Sequence, residues 1–155
     1  MPAVAITLAW VGDRAPRMEV AHVELRGREL TAAGTQLGAA YELRYTLERG
    51  LLQLELVGER SLELSLGDAD FFDLGWSPLF NSLPVLRDRL LERGRARDYV
   101  MRWVDVPALE VTLSEQRYEP LGNRLVRFRS DSFTADIEFD ERGFVLNYPG
   151  IARRA

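Results

Sequence analysis

The sequence predicts a mainly β, antiparallel domain with one short helix. Three observations predict this class: apolar and polar residues alternate in many short segments, glycine-containing turns separate these segments, and only one segment has helical spacing. Successive side chains of a strand point to opposite faces, so each alternating segment predicts a strand with one buried and one exposed face.

The predicted strands follow one another along most of the chain. The apolar segment Pro2–Val11 predicts the first strand. Alternation is clear in residues 52–56, 62–66, 133–139 and 144–148, and weaker in Met18–Arg26, Glu29–Leu37, Tyr41–Glu48, Ala96–Asp105, Glu110–Tyr118 and Arg124–Arg129. This gives about ten strands.

The turns favour antiparallel neighbours. Arg26-Gly27-Arg28, Glu48-Arg49-Gly50 and Asp140–Gly143 each place a glycine where a tight hairpin needs a positive φ. Short connections between successive strands predict a meander.

One segment has helical spacing. Ser82 is a candidate N-cap, Pro84 lies near the first helical position, and Gly94 is a candidate C-terminal stop. Between them Leu83, Leu86 and Leu90 share one face. A single short helix covers only part of such a sheet, so the sheet either curls into a barrel or half-barrel or packs against a second sheet. The interior is then either filled or open to a small apolar ligand.

Composition restricts the function. The 155 residues fit a single domain, 1–155, with 46% hydrophobic residues and a net charge of −4. A mildly acidic chain gains no electrostatic help in binding nucleic acid. No apolar run is long enough for a transmembrane segment and no signal peptide is evident, so a cytoplasmic location is expected.

The residues for chemistry are few. His22 is the only histidine and cysteine is absent, so neither a histidine-based metal site nor a thiolate nucleophile is expected. Asp68–Asp73 lacks the glycine of a calcium loop and is interpreted as a solvated loop at a strand end. Ser77 has no complete nucleophile-elbow motif around it. The sequence therefore predicts no enzyme activity, metal or cofactor.

From Asp73 onward the chain resembles the family of putative glycolipid-binding proteins. The resemblance rests on residues 73–84 (DLGWSPLFNSLP), on 107–111 (PALEV) with Gln116 and Tyr118, and on 131–135 with the closing 148–150 (YPG). Upstream, residues 33–34 and 43–45 fit more loosely. The family's arginine pair is reduced here to Arg87, and its threonine-flanked asparagine is Asn81 between Phe80 and Ser82.

The resemblance implies a curled antiparallel sheet, a half-barrel with one or two short helices on its concave side, as in bacterial lipoprotein carriers. It also implies binding of an amphiphilic small molecule, such as a glycolipid or a fatty-acid-like ligand. Trp76 would stack on the ligand, while Asn81 and Arg87 would hydrogen-bond its head group. The matching segments add Arg44, Tyr45, Gln116 and Tyr118 as candidate ligand-binding residues.

Three functions stay open at this point. The leading hypothesis is a non-enzymatic carrier for an amphiphile, and the second is a protein-interaction domain with a solid core. The third is an enzyme that uses carboxylates and arginines in the concavity, which a cluster of buried carboxylates with shifted pKa values would favour. The segment Asp73–Arg87 is equally compatible with a structural corner of the sheet.

Overall fold

Alternation of apolar and polar residues produces a long row of strands. The computed structural model describes residues 4–26, 29–37 and 41–155. Its strands are β1 (Val4–Gly12), β2 (Met18–Arg26), β3 (Glu29–Leu37), β4 (Glu42–Glu48), β5 (Leu51–Leu56), β6 (Arg60–Ser65), β7 (Phe71–Leu74), β8 (Arg97–Val104), β9 (Val111–Gly122), β10 (Leu125–Ser130), β11 (Phe133–Phe139), β12 (Val145–Tyr148) and β13 (Ala152–Arg154). The helices α1 (Pro78–Asp88) and α2 (Leu90–Arg93) lie between β7 and β8.

All thirteen strands belong to one sheet. Their order is β6-β5-β4-β3-β2-β1-β13-β12-β11-β10-β9-β8-β7, so the chain forms two meanders that meet where β1 pairs with β13. Each of these pairs is antiparallel except β7 with β8, which is parallel. A parallel pair needs a crossover connection, and α1 and α2 provide it.

The sheet curls around α1. Phe80 packs its ring against Tyr45 of β4, with 5.5 Å between centroids, while the next residue, Asn81, hydrogen-bonds Tyr118 of β9. In a flat sheet β4 and β9 would lie about 38 Å apart, at about 4.8 Å for each strand spacing. Adjacent residues of one helix can reach both strands only if the sheet folds round, so α1 lies on the concave side.

The mainly β, curled and antiparallel fold is confirmed, and the edges stay open because β6 and β7 do not pair with each other. The core lies between the concave face and α1, where Leu79, Phe80 and Leu83 pack among the inward-facing side chains of the strands. In the described residues no helix has the length and apolar character of a membrane span.

The strand count was too low. The sheet has thirteen strands rather than about ten, and the short β7 and β13 were missed. Asp68–Asp73 is not wholly a solvated loop, because Phe71, Phe72 and Asp73 are buried in β7. A strand buried on both faces does not alternate, which is typical of parallel strands.

The predicted helix start was also wrong. α1 begins at Pro78 with Ser77 as the N-cap, and Pro84 lies inside the helix instead of at its start. Ser82, the predicted cap, is fully buried and donates a hydrogen bond to the Pro78 carbonyl oxygen at 3.4 Å. Arg89 adopts φ 52° and divides the segment into two helices, and Gly94 ends the second as predicted.

The predicted turns agree where the structure describes them. Gly50 and Gly143 have φ values of 74° and 96°, as tight turns after β4 and β11 require. Pro2 and Ala3 of the predicted first strand, and Gly27 and Arg28 of the predicted turn, lie outside the described residues.

Candidate functional site

The junction between β7 and α1 projects one large aromatic side chain outward. Every residue from Phe71 to Val85 is buried except Trp76, which is 42% exposed. Trp76 has φ 68°, a conformation that is unfavourable for a bulky L-residue. The backbone at this corner therefore holds the indole ring at the surface, although all the neighbouring residues turn inward.

Arg17, which precedes β2, lies beside Trp76, and Tyr41, which precedes β4, lies beside Arg17. The guanidinium of Arg17 stacks over the Trp76 ring, 4.4 Å from its centroid, and over the Tyr41 ring at 5.3 Å. Arg17 also donates a hydrogen bond from Nη1 to the Tyr41 hydroxyl oxygen. We call Arg17, Tyr41 and Trp76 the rim cluster. It lies at the N-terminal end of α1.

A chain of polar groups leads inward from the rim cluster. The Tyr41 hydroxyl donates to Gln36 Oε1 at 3.3 Å, and Gln36 Nε2 donates to the Gly75 carbonyl oxygen at 3.4 Å. Gln36 is buried and lies directly opposite Glu19 in the β2–β3 register. The rim cluster is thus continuous with polar groups that water does not reach.

Glu19 is the centre of the first buried polar cluster. Glu19 is 2% exposed, and its Oε1 accepts hydrogen bonds from the Tyr45 hydroxyl and from Ser77 Oγ, the latter at 2.9 Å. Its Oε2 has no hydrogen-bond partner among the residues that the structure describes. Burial raises the pKa of Glu19 to about 7, although both hydrogen bonds act to lower it.

Gly34 makes room for this cluster. Tyr45 on β4 reaches Glu19 on β2 by crossing β3 over Gly34. A Cβ atom at Gly34 would lie 2.9 Å from the Tyr45 hydroxyl oxygen and 2.7 Å from the Val20 carbonyl oxygen. Both contacts are too short, so glycine is required here for close approach rather than for a turn.

A second buried polar cluster lies farther along α1. Gln116 Nε2 donates to Asp73 Oδ2 at 2.6 Å, and Asn81 Nδ2 donates to the Tyr118 hydroxyl oxygen at 3.2 Å. The Tyr118 hydroxyl donates to Gln116 Oε1 at 3.4 Å, which closes the cluster. Burial raises the pKa of Asp73 to about 6, against the lowering effect of the Gln116 hydrogen bond.

The opposite end of α1 carries an exposed ion pair. Arg87 stacks over the Phe71 ring, 4.1 Å from its centroid, and hydrogen-bonds both carboxylate oxygens of Asp88 at 3.0 and 3.1 Å. The Tyr99 hydroxyl donates to Asp88 Oδ2 at 2.6 Å. α1 has 11 residues, so Arg87 lies roughly 16 Å from Trp76 along the helix.

The predicted site residues therefore fall into separate groups. Asn81, Gln116 and Tyr118 come together in the second polar cluster, and Tyr45 belongs to the Glu19 cluster. Trp76 and Arg87 lie at opposite ends of α1 and do not contact each other. Arg44 alternates with Tyr45 on β4, so it lies on the outer face, where it pairs with Glu42 at 3.4 Å.

Sequence reasoning missed several residues of the site. Glu19 could have been found, because the alternation of β2 places it on the same face as Ala21 and Val23. Arg17 gave no signal, and Tyr41 stood out only as one of several aromatic residues with a polar group, because only the curl of the sheet brings them towards Trp76. In the described ranges no group of three or more His, Cys, Asp or Glu side chains could hold a metal ion.

Two surface depressions lie away from α1. One, of about 390 Å³, is lined by residues of β8, β9 and β10 and their flanks, including Asp98, Arg117 and Arg129. The other, of about 430 Å³, is lined by β1 to β4 and includes His22. His22 is exposed there and shares a hydrogen bond with Thr7 Oγ1 at 2.8 Å.

The architecture defines a class: an open, curled β-sheet domain whose concave face seats a helix through buried polar contacts. Residues 54–154 match the family described as putative glycolipid-binding, and the chain belongs to that family. The crystal structure of a DUF1089 family protein from Pseudomonas aeruginosa has a similar fold, with a TM-score of 0.57, 19% sequence identity and coverage of 100% of this chain and 93% of that chain. No protein of curated function matches the sequence.

Proposed function

We propose that this chain binds an amphiphilic small molecule of the glycolipid kind, without a covalent step, and that the head group contacts the rim cluster. The observation that carries the proposal is Trp76, a large aromatic side chain held at the surface with φ 68° while the residues around it are buried. Unfavourable backbone conformations of this kind persist where the surrounding structure enforces them, and they concentrate at functional sites.

The rim cluster has the chemistry of a head-group site. Trp76 offers an apolar ring face and an N–H donor, and Tyr41 combines an aromatic ring with a hydroxyl group. Arg17 adds a charged donor with several N–H groups in one plane. A sugar-bearing head group needs this combination of one stacking surface and several donors and acceptors close to it.

The alkyl chain would lie between α1 and the concave face. Many of the side chains there are apolar, with Leu79 in the core and Phe80 of α1 facing Tyr45 of β4. These side chains are packed against one another. The alkyl chain of the ligand can therefore enter only if α1 moves away from β4. The same packing favours the second candidate, a protein-interaction domain with a solid interior.

The raised pKa values of Glu19 and Asp73 are the feature expected of an enzyme with buried carboxyl groups. Three observations favour binding instead. Glu19 and Asp73 belong to separate hydrogen-bonded clusters, and each is less than a tenth exposed. Neither carboxyl group forms an ion pair with an arginine in the part of the chain that the structure describes. Release of free sugar from an added alkyl glycoside would contradict the non-enzymatic proposal.

The decisive experiment is Trp76→Gly. Glycine accepts φ 68° without strain, so the stability cost is limited to the contacts of the partly exposed ring, of which the Arg17 contact contributes about 0.5–1 kcal/mol, and the variant should stay folded. Uptake of a fluorescent glycolipid, measured by titration, should fall by about tenfold or more, which corresponds to about 1.4 kcal/mol of binding free energy.

Asn123→Gly is the matched control. Asn123 has φ 52° and is exposed in the turn between β9 and β10, far from Trp76 in the chain. Both variants replace an exposed residue of positive φ by glycine, and only Trp76→Gly should weaken uptake. Equal uptake by both variants would show that the rim cluster does not bind the glycolipid. No uptake by the parent protein would favour the solid-core alternative.

A further inference from the structure

Arg17 differs from the paired arginines of this protein. Arg44, Arg117, Arg127 and Arg154 each form an ion pair with a carboxylate, as do Arg87, Arg89 and Arg97 around α1 and α2. Arg17 has no carboxylate partner in residues 4–26, 29–37 and 41–155. The guanidinium of Arg17 instead hydrogen-bonds the Tyr41 hydroxyl and lies over the Trp76 ring.

These contacts leave the edge of the guanidinium available. The guanidinium carbon lies over the Trp76 ring, 4.4 Å from its centroid, and one N–H group is used by the Tyr41 hydroxyl. A guanidinium has five N–H donors in its plane, and they match a carboxylate or phosphate in a bidentate geometry. Stacking also fixes the direction in which those donors point, which reduces the entropy lost on binding.

The acidic groups near Arg17 do not neutralise it. Asp105 is close enough to act on Tyr41, but its Oδ1 accepts the backbone N–H of Val106 at 3.0 Å and it forms no ion pair with Arg17. Glu19 lies deeper, where its carboxyl group is engaged by Tyr45 and Ser77. The positive charge of Arg17 is thus offered to the outside, beside an exposed indole ring.

We propose that the ligand of the rim cluster carries an anionic group, and that Arg17 selects it. This inference rests on the proposed function, because it specifies the charge of the head group bound beside Trp76. The chemistry is that of a carboxylate or phosphate on a sugar-bearing amphiphile. A neutral glycolipid would leave the in-plane donors of Arg17 to water.

The test compares two probes that differ in one group. Octyl β-D-glucuronide has a carboxylate where octyl β-D-glucoside has a hydroxymethyl group, and both are titrated into the full chain by calorimetry below micelle formation. The parent protein should bind the glucuronide about tenfold more tightly or better, because hydrogen bonds to a charged group are the stronger kind.

Arg17→Gln should bring the ratio of the two affinities close to one. Arg17→Lys keeps the charge but loses the planar fork, so its ratio should be intermediate. Arg14→Gln is the matched control: Arg14 is exposed in the same β1–β2 connection, and the variant changes the net charge equally. Its ratio should equal that of the parent, and added salt should reduce the ratio in both proteins.

The outcomes separate the two proposals. Tight binding of both probes with a ratio near one in the parent protein, or an unchanged ratio in Arg17→Gln, would overturn the anion proposal and leave amphiphile binding intact. Binding of neither probe would overturn both. If free glucuronate competes as well as octyl glucuronide, Arg17 selects an anion as proposed, and the alkyl chain has no part in binding.

Discussion

Replacing Glu19 by glutamine should stabilise the protein at neutral and alkaline pH. Glutamine has nearly the same shape, and its side-chain oxygen can still accept hydrogen bonds from Tyr45 and Ser77. The substitution removes the ability of a side chain that is 2% exposed to become charged, and it places an amide NH2 group where the unpartnered Oε2 lies. An uncompensated charge at such a position is costly.

The sign and size of the effect follow from the pKa of Glu19. Burial raises this pKa from 4.5 to about 7 in the folded protein. Below pH 4.5 both the folded and the unfolded states are protonated, and Glu19 has no influence on stability. Between pH 4.5 and about 7 the folded state binds more protons than the unfolded state, so the free energy of unfolding falls as pH rises. Above that window the free energy of unfolding has fallen by about 3 kcal/mol, at 1.36 kcal/mol per pKa unit.

Urea unfolding of the parent and of Glu19→Gln at several pH values from 4 to 8.5 measures the effect. The two proteins should have similar stability near pH 4, and the parent should lose stability relative to the variant as pH rises towards 7. Asp73 affects both proteins equally, so the difference isolates Glu19. Glu55→Gln, on the exposed face of β5, is the control and should give no such divergence. A difference between parent and variant that stays constant with pH would refute the reasoning.

Three further results are expected. Gly34→Ala should lower the free energy of unfolding by about 1–3 kcal/mol, because the new methyl group overlaps Tyr45 and the β2 backbone; an unchanged urea midpoint would contradict this. Arg87→Ala should change stability by less than about 1 kcal/mol and leave glycolipid uptake intact, because Arg87 lies at the far end of α1; lost uptake would extend the site to that end. Chelation with EDTA should leave the melting temperature unchanged, and a drop would reveal a stabilising metal ion.

The sequence allowed most of the sheet to be predicted, for a clear physical reason. Strands with one buried and one exposed face alternate, as β5 and β11 do, and their positions agree with the prediction. β7 could not be found in this way, because Phe71–Leu74 are all buried and do not alternate. The start of α1 was misplaced because Ser82 and Pro84 imitate the start signal that Ser77 and Pro78 provide.

The site was less predictable than the fold. Family resemblance directed attention to Trp76 and to residues that the structure groups in buried polar clusters, such as Asn81 and Tyr118. The arrangement around Trp76 depends on contacts between β2, the segment before β4 and the β7–α1 junction, which are distant in the chain. Neither residue spacing nor composition specifies which side chains meet when a sheet curls.

The residues on both sides of Trp76 are held by four hydrogen bonds. Gly75 donates its N–H to Val104 at 2.9 Å and accepts a hydrogen bond from Gln36 at 3.4 Å. Ser77 donates its N–H to Leu74 at 3.0 Å and its hydroxyl group to Glu19 at 2.9 Å. The last contact requires a buried carboxyl group that costs stability at neutral pH. A domain that only had to fill its interior could place an apolar pair there and gain stability. The buried Glu19 carboxyl group lowers stability at neutral pH, and its hydrogen bond to Ser77 helps to fix the outward position of Trp76. This role explains why a destabilising group is retained there.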